Sequence, residues 1–396
     1  MKGAVTKASR LGDGIFLFQR IFLGAGMAKL HPLQRILYPL LLPISFLYGW
    51  GGMIRRRLVQ CGRLRHWRPS RPCVSIGNIS WGGTGKTPVT DWILERASRQ
   101  GKRVAVLTRG YGAHPSSLPL IVTGDMSPSE CGDEPLMLAA KHSDAVVVVD
   151  PDRNRAGKSL ECMNPPDFYI LDDGFQHLST GRDLDIVLLD KDDVIFTPSS
   201  NWNRIIPVGS WREPEEALSA ADIFLIKVEP EEWPQIVPAI RSRLKAWPRP
   251  VFAFHLEAEG LMAQSGPSVS RRKEKYADAS ALQTAYAFVC GIGSPDQAVH
   301  TVTRFFGRPP EQMLSFPDHH DFSREKQSLE SMGLPIVCTG KDAAKLASLN
   351  LSVPLFSLEV SARFFASLNT DGSSEEFSAE GGFESWWDSW IFRHLG

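Results

Sequence analysis

The sequence predicts an α/β protein. A mainly parallel sheet covered by helices is followed by a second, smaller α/β unit and preceded by an apolar segment. Three observations predict it. Between residues 73 and 230, short apolar runs alternate with helical stretches, the pattern of parallel strands joined by crossover helices. The stretch Val74–Thr90, VSIGNISWGGTGKTPVT, runs from a β-branched strand through a glycine cluster into Lys86-Thr87. The nineteen residues from Ile36 to Ile54 carry no charge, and Arg35 and Arg55-Arg56-Arg57 flank them.

Taken in order, residues 1–72 read as a basic, apolar, membrane-associating segment. They hold thirteen Lys and Arg against a single acid, Asp13, although the whole chain balances 44 against 44. A basic leading segment on an acidic body points to an anionic surface. Ile15–Leu23 is apolar but broken by Arg20, and no small-residue cleavage site follows, so no signal peptide is assigned. As a helix, Ile36–Ile54 would be ~28 Å long, near the thickness of a hydrocarbon core. Pro39 and Pro43 are expected to interrupt that helix. Tyr38, Tyr48 and Trp50 sit near its ends, where interfacial aromatics belong. Charges of one sign on both flanks give no orientation for a span. The reading is a helix lying in, or dipping into, one leaflet with its arginines on headgroups; a buried core helix is the alternative.

Residues 73–248 form the first domain. Its strands are expected at Val74–Ile76, Arg103–Leu107, Ala145–Val149, Phe168–Leu171, Ile186–Leu189 and Ile223–Ile226. Strand, glycine loop, Lys-Thr and helix make a phosphate-binding loop like that of P-loop NTPases. Without a Cβ, Gly82, Gly83 and Gly85 let backbone N–H groups crowd phosphate oxygens, with Thr84 between them. Lys86 is expected at the β- and γ-phosphates and Thr87 on Mg²⁺. Ser80 stands where the general pattern has glycine. Trp81 stands where partitioning switch ATPases carry a signature lysine, which counts against that class.

Functional loops belong at the carboxyl ends of the strands. Asp172-Asp173 ends FYIL, where a Walker-B acid pair holds Mg²⁺. Asp133-Glu134, in CysGlyAspGluPro, opens a helix expected over Pro135–His142; complementing that helix's dipole alone would justify both acids. Arg109, Arg153, Arg182 and Arg212 would rim the loop site and suit a polyanionic substrate such as a sugar phosphate.

The segment Trp247–Pro250 marks a junction to a second domain, 249–365. It contains a basic loop, Ser268–Lys275, and strands at Ala285–Cys290, Pro335–Thr339 and Val353–Leu358. PheProAspHisHisAspPhe (316–322) has no transition-metal spacing and fits a histidine oriented by a carboxylate for proton transfer. Residues 366–396 are a polar linker, 369–382, and a helix placing Phe383, Trp386, Trp387, Trp390 and Ile391 at helical spacing. The six cysteines, at 61, 73, 131, 162, 290 and 338, show no CxxC, which fits free thiols in a reducing compartment.

In order, GNISWGGTGKTP, LTRGYG, GDEP, DDGFQH, RDLDIVLLD, WREP, FPDH and TGKDAAKL are similar to the motifs of the tetraacyldisaccharide 4'-kinases of lipid A biosynthesis, over roughly Leu37 to Leu358. That family also lacks the first loop glycine, as Ser80 does here. The resemblance implies transfer of the γ-phosphoryl group of ATP to the 4'-hydroxyl of a tetraacyldisaccharide 1-phosphate, with Mg²⁺. It implies a peripheral or monotopic enzyme on the cytoplasmic face of the inner membrane, with a smaller domain closing over the nucleotide. Lys86 and Thr87 carry over as phosphate and Mg²⁺ residues, and Asp172 and Asp173 as the Walker-B pair. Asp133 carries over as general base, with His319 as its partner, and Glu134 as an Mg²⁺-side acid. Arg109, Arg153, His177, Arg182 and Arg212 carry over as substrate contacts; Glu213 lies in the family's REP motif. Trp211 replaces a usual Leu and Gly340 a common Glu. The long N-terminus and the Trp-rich tail have no counterpart in the family pattern.

The competing reading is a membrane-tethered P-loop ATPase switch. It needs no base aimed at a sugar hydroxyl, and Trp81 counts against it. Nucleic acid is not an expected partner, because the first seventy residues are as apolar as they are basic and carry no groove-reading motif.

Overall fold

The structure, a computed structural model, describes residues 32–63, 67–195, 202–265, 275–276, 282, 284–369 and 382–395. The readings made for residues 1–31, for most of the loop Ser268–Lys275 and for the linker 370–381 lie outside these.

Helix α1 (Pro32–Gln60) leads. Then come β1 (Cys73–Asn78), α2 (Lys86–Arg99), β2 (Val104–Thr108), β3 (Leu120–Ile121), α3 (Asp133–Lys141), β4 (Val146–Val149), α4 (Arg153–Met163), β5 (Phe168–Asp172), β6 (Leu184–Asp190) and β7 (Ile223–Lys227). The chain continues through α5 (Trp233–Leu244), β8 (Pro250–Ser265), β9 (Lys275–Tyr276), β10 (Ala287–Cys290), α6 (Pro295–Phe306), β11 (Gln312–Ser315), β12 (Ile336–Thr339), α7 (Gly340–Ser348), β13 (Leu355–Asn369) and α8 (Phe383–Leu395).

The strands form one sheet in the order β11-β10-β12-β13-β8-β7-β6-β1-β5-β2-β4-β3, with β9 paired to β8. Pairing is parallel except at β3–β4, β8–β9 and β8–β13. The expected strands of the first lobe all form, as buried apolar runs covered on both faces. The Trp247–Pro250 passage delivers the chain into β8. That strand pairs parallel with β7 over Val251–Phe254, then runs on as an antiparallel ribbon with β13 into the second lobe. Sequence reading missed β3, β8, β9, β11 and the second half of β13.

Two apolar layers sandwich the first lobe's sheet. One buries Val89, Ile93 and Leu94 of α2 against Ile76, Val106 and Ile170, and α8 completes it with Phe383, Trp387, Trp390 and Ile391. The aromatic face expected of the terminal helix is thus docked, with Trp387 edge-on to Phe168 and Phe383 beside Trp92. Asp388 fixes its outer side by pairing with Arg96. The other layer gathers Val187, Phe224 and Trp211 against Ile236 and Ile240 of α5.

Helix α1 departs from expectation, because it runs unbroken through Pro39 and Pro43. The two prolines are one turn apart, so their missing N–H groups fall on one face and the other hydrogen bonds carry the helix past them. Residues Leu37–Gln60 are long and apolar enough to cross a membrane. Leu40, Leu42, Ile44, Phe46, Leu47 and Trp50 are exposed. A thin stripe holds the helix to the protein. Ser45 Oγ donates to the Ile205 carbonyl at 2.7 Å. A Cβ on Gly49 would come within 2.6 Å of Ile205 Cδ1. Lower down, Arg56 donates twice to Glu213, at 2.9 Å each, and its guanidinium lies 4.5 Å from the centre of the Phe175 ring.

Candidate active site

The glycine loop sits between β1 and α2 and is pinned from beneath. Asn78 Nδ2 donates to the buried Thr84 Oγ1 at 2.9 Å. Ser80 Oγ donates to Asp193 Oδ2 at 2.9 Å, and Trp211 Nε1 to Asp193 Oδ1 at 2.8 Å. The serine in the glycine's place and the tryptophan in the leucine's place therefore share one buried carboxylate. Gly85 has φ of 92°, and a Cβ there would come within 2.9 Å of the Phe254 ring, so both conformation and space require glycine. Lys86, first residue of α2, points its ammonium at Asn78 Oδ1 (3.2 Å) and Asp173 Oδ1 (3.4 Å).

The two acids after β5 diverge. Asp172 stays buried and accepts a hydrogen bond from Thr108 Oγ1 at 2.8 Å. Burial, then the nearby charges of Glu134 and Asp173, push its carboxyl up to about 6. Asp173 leaves the strand with φ of 47°. It receives both terminal nitrogens of Arg212, at 2.9 and 3.0 Å. Burial opposes its charge, but Lys86 and Arg212 outweigh that and hold its carboxyl far below the usual range.

Asp133 and Glu134 open α3, facing the second lobe. His319 Nδ1 lies 3.2 Å and Lys345 Nζ 2.8 Å from Asp133 Oδ2. Lys341 Nζ donates to Glu134 Oε1 at 2.9 Å and to Asp318 Oδ1 at 2.8 Å. Burial works against the charge on Asp133, yet the bonds from His319 and Lys345 keep its carboxyl below the ordinary range. Tyr111 packs on His319, ring centres 5.1 Å apart. A second bridge joins the lobes at the glycine loop. Lys227, at the end of β7, donates to the Gly83 carbonyl and to Gln297 Oε1 of α6. The cleft so formed can hold a phosphate chain at the glycine loop and an acceptor hydroxyl at Asp133.

The chain's sequence from residue 37 to 373 matches the family model described as Tetraacyldisaccharide-1-P 4'-kinase. The chain belongs to this family. A tetraacyldisaccharide 4'-kinase of Nitratidesulfovibrio vulgaris is 41% identical over 357 residues, 90% of this chain and 95% of the relative. One of Oleidesulfovibrio alaskensis is also 41% identical, over 90% of this chain and 96% of its own. A crystal structure titled as LpxK from Aquifex aeolicus in complex with ATP superposes with a TM-score of 0.68 at 27% identity. That alignment covers 92% of this chain and all of the other.

Within this kinase family's frame, the structure brings Gly82, Gly83, Thr84, Gly85, Lys86, Thr87, Asp133, Glu134, Asp172, Asp173, Arg109, Arg153, Arg212 and His319 to the walls of one cleft. His177 and Arg182 do not line it. Arg182 donates to the Gly174 carbonyl at 2.7 Å and pairs with Asp185, bracing the turn after the acid pair. His177 receives Arg153 at 3.3 Å. Sequence reading makes the Asp133–His319 contact conditional on the two domains meeting over substrate; here the lobes already meet, and the contact is made. It gives no role to Asn78, Lys227, Lys341 or Lys345. The signal for the two α7 lysines was their i, i+4 spacing just past a strand end, the position functional loops take.

Proposed function

We propose that this chain transfers the γ-phosphoryl group of ATP to the 4'-hydroxyl of a tetraacyldisaccharide 1-phosphate, a step of lipid A biosynthesis. One observation carries the reading: the glycine loop with Lys86, the buried Asp172 and the Asp133–His319 pair line a single cleft. Phosphoryl transfer asks the protein chiefly for positioning and charge stabilisation. Backbone N–H groups of Gly82–Gly85 cradle the phosphates, and Lys86 stabilises charge growing on the transferred group. Asp133, oriented by His319, accepts the hydroxyl proton. Arg109, Arg153 and Arg212 meet the anionic substrate, while His177 steadies Arg153 and Arg182 braces the turn after the acid pair.

The residues present fit Mg²⁺. Burial first, and then the charges of Glu134 and Asp173, push Asp172 toward its neutral form, and a divalent cation would offset both the lost hydration and the repulsion. Among the described residues, no three His, Cys, Asp or Glu side chains converge as a closed metal cage; Mg²⁺ keeps several waters and leans on substrate phosphates, so it needs few protein ligands. Thr87, Asp172 and Glu134 would hold it, with Asp173 contributing charge from behind Lys86. When bound, Mg²⁺ neutralises charge on the β- and γ-phosphate oxygens.

The exposed apolar face of α1 supports association with a membrane beside the lipid substrate; the peripheral or monotopic seat on the cytoplasmic face of the inner membrane rests on the family resemblance. Residues 73–248 and 249–365 act as a larger and a smaller domain closing on the nucleotide. The test mixes purified full-length protein, Mg-ATP and tetraacyldisaccharide 1-phosphate and looks for a bis-phosphorylated lipid. Its appearance supports the reading. ATP consumption at one rate with or without the lipid, and no new product, overturns it in favour of an ATPase switch.

A further inference from the structure

We propose that Lys345 is a positioning residue that decides which oxygen of Asp133 is presented to the acceptor hydroxyl; the inference rests on the phosphoryl-transfer reading above. His319 Nδ1 (3.2 Å) and Lys345 Nζ (2.8 Å) both take Oδ2, and Lys345 makes the shorter contact. Among the described residues, both hydrogen bonds to the Asp133 carboxylate fall on Oδ2 and none on Oδ1. A carboxylate with one oxygen held twice cannot exchange its oxygens by rotation without breaking both contacts. Oδ1 is therefore the oxygen left for a proton. His319 alone, on the longer contact, holds it less firmly. The pair is also sheltered, with side chains 14% and 9% exposed for Lys345 and Asp133.

The helix carrying Lys345 is itself fixed. Asp342 accepts from the Gly291 N–H at 2.9 Å and from Thr339 Oγ1 at 2.7 Å, tying the start of α7 to the end of β10. Lys341, one turn before Lys345, reaches Glu134, Asp318 and, at 3.4 Å, His319 Nε2. It thereby steadies the sequence neighbours of both Asp133 and His319. His319 has φ of 62°, a backbone conformation that non-glycine residues adopt only when neighbours hold them there. Thus α7 presents two cations to two adjacent acids of the opposite lobe, and the orientation of the carboxylate is set from outside its own domain.

The experiment measures full-length protein at one pH with saturating Mg-ATP and lipid acceptor. Lys345→Met is expected to lower kcat on the order of tenfold to a hundredfold, the cost of a reacting group held loosely. KM for ATP and lipid should stay within about twofold, because no binding contact is removed. Lys345→Arg, which can donate from the same place, should recover part of the loss. In an Asp133→Asn background, Lys345→Met should cost nothing further, a result that a general loosening of the fold would not give. Should Lys345→Met fail to fold, Lys345→Gln supplies the same comparison. Wild-type kcat in the variant, or losses that multiply with that of Asp133→Asn, overturns the proposal. A wild-type protein that makes no lipid product overturns the functional reading instead, and this inference with it.

Discussion

At Asp173 the backbone turns out of the strand, and its carboxylate swings from Asp172 onto Arg212 and Lys86. Lys86 thus neutralises an acid as well as facing the site. Lys86→Ala is expected to lower turnover about 10²–10³-fold, the scale of losing one preorganised charge at the transferred group, in a chain that still folds because Arg212 remains on Asp173. Turnover near wild type would remove the phosphate-loop reading. Asp133→Ala and His319→Ala should each lower kcat by ~10²–10⁴. The double variant should be scarcely worse than the poorer single, since the two act as a unit; kcat for the four proteins decides it. His177 offers a pH test. Burial, then the charges of Arg153 and Arg182, push it down to about 4. The unfolded chain takes up a proton near the ordinary histidine value of about 6.5, and the folded chain does not. The histidine's contribution is whole above that pH and is lost as pH falls toward 4. Melting temperature between pH 6.5 and 5 should fall more steeply for the native chain than for His177→Gln; parallel curves would contradict this. The glycine loop and the acid pairs were legible in the sequence because each is a local motif. Lys341 and Lys345 were not, because their partners stand 207 and 212 residues away.

Among the elements, α1 shows what composition foretells and what it misses. Its apolar, charge-free run was plain to read, and so was its length. Its continuity was not, because a proline costs a helix its hydrogen bond wherever it falls, and only the structure shows the bonds beside Pro39 and Pro43 carrying the helix past them. Nor did composition reveal the thin stripe, Ser45, Gly49 and Arg56, that seats it. Deleting residues 1–54 keeps the Arg56–Glu213 pair and removes the exposed face. The protein should then move from the membrane fraction to the soluble one. If it still sediments with membranes, the anchor lies elsewhere. The first lobe's strands were readable because continuous burial on both faces writes a continuous apolar run. The β8–β13 ribbon mixes Glu257, Glu259 and Arg363 into its strands, with Glu257 and Arg363 paired at 2.9 Å. It therefore lacks that signature.

For the whole molecule, one sheet passes through both lobes, and its earliest layer is finished by its latest helix. Phe383 and Trp387 of α8 are fully buried against α2, β5 and β8, and Arg96 meets Asp388 across 292 residues of chain. Synthesis runs in one direction, so the aromatic wall formed by Trp92, Phe168 and Phe252 leaves the ribosome long before its cover. Counted from Phe252, the last of the three to be made, at ~5–20 residues per second that delay is on the order of 7–26 s. Throughout it the nascent first lobe carries a phosphate loop and an uncovered apolar wall, the kind of surface that chaperones hold and that neighbouring chains on a polysome stick to. A premature stop codon before Phe383 would therefore harm the half of the protein made first.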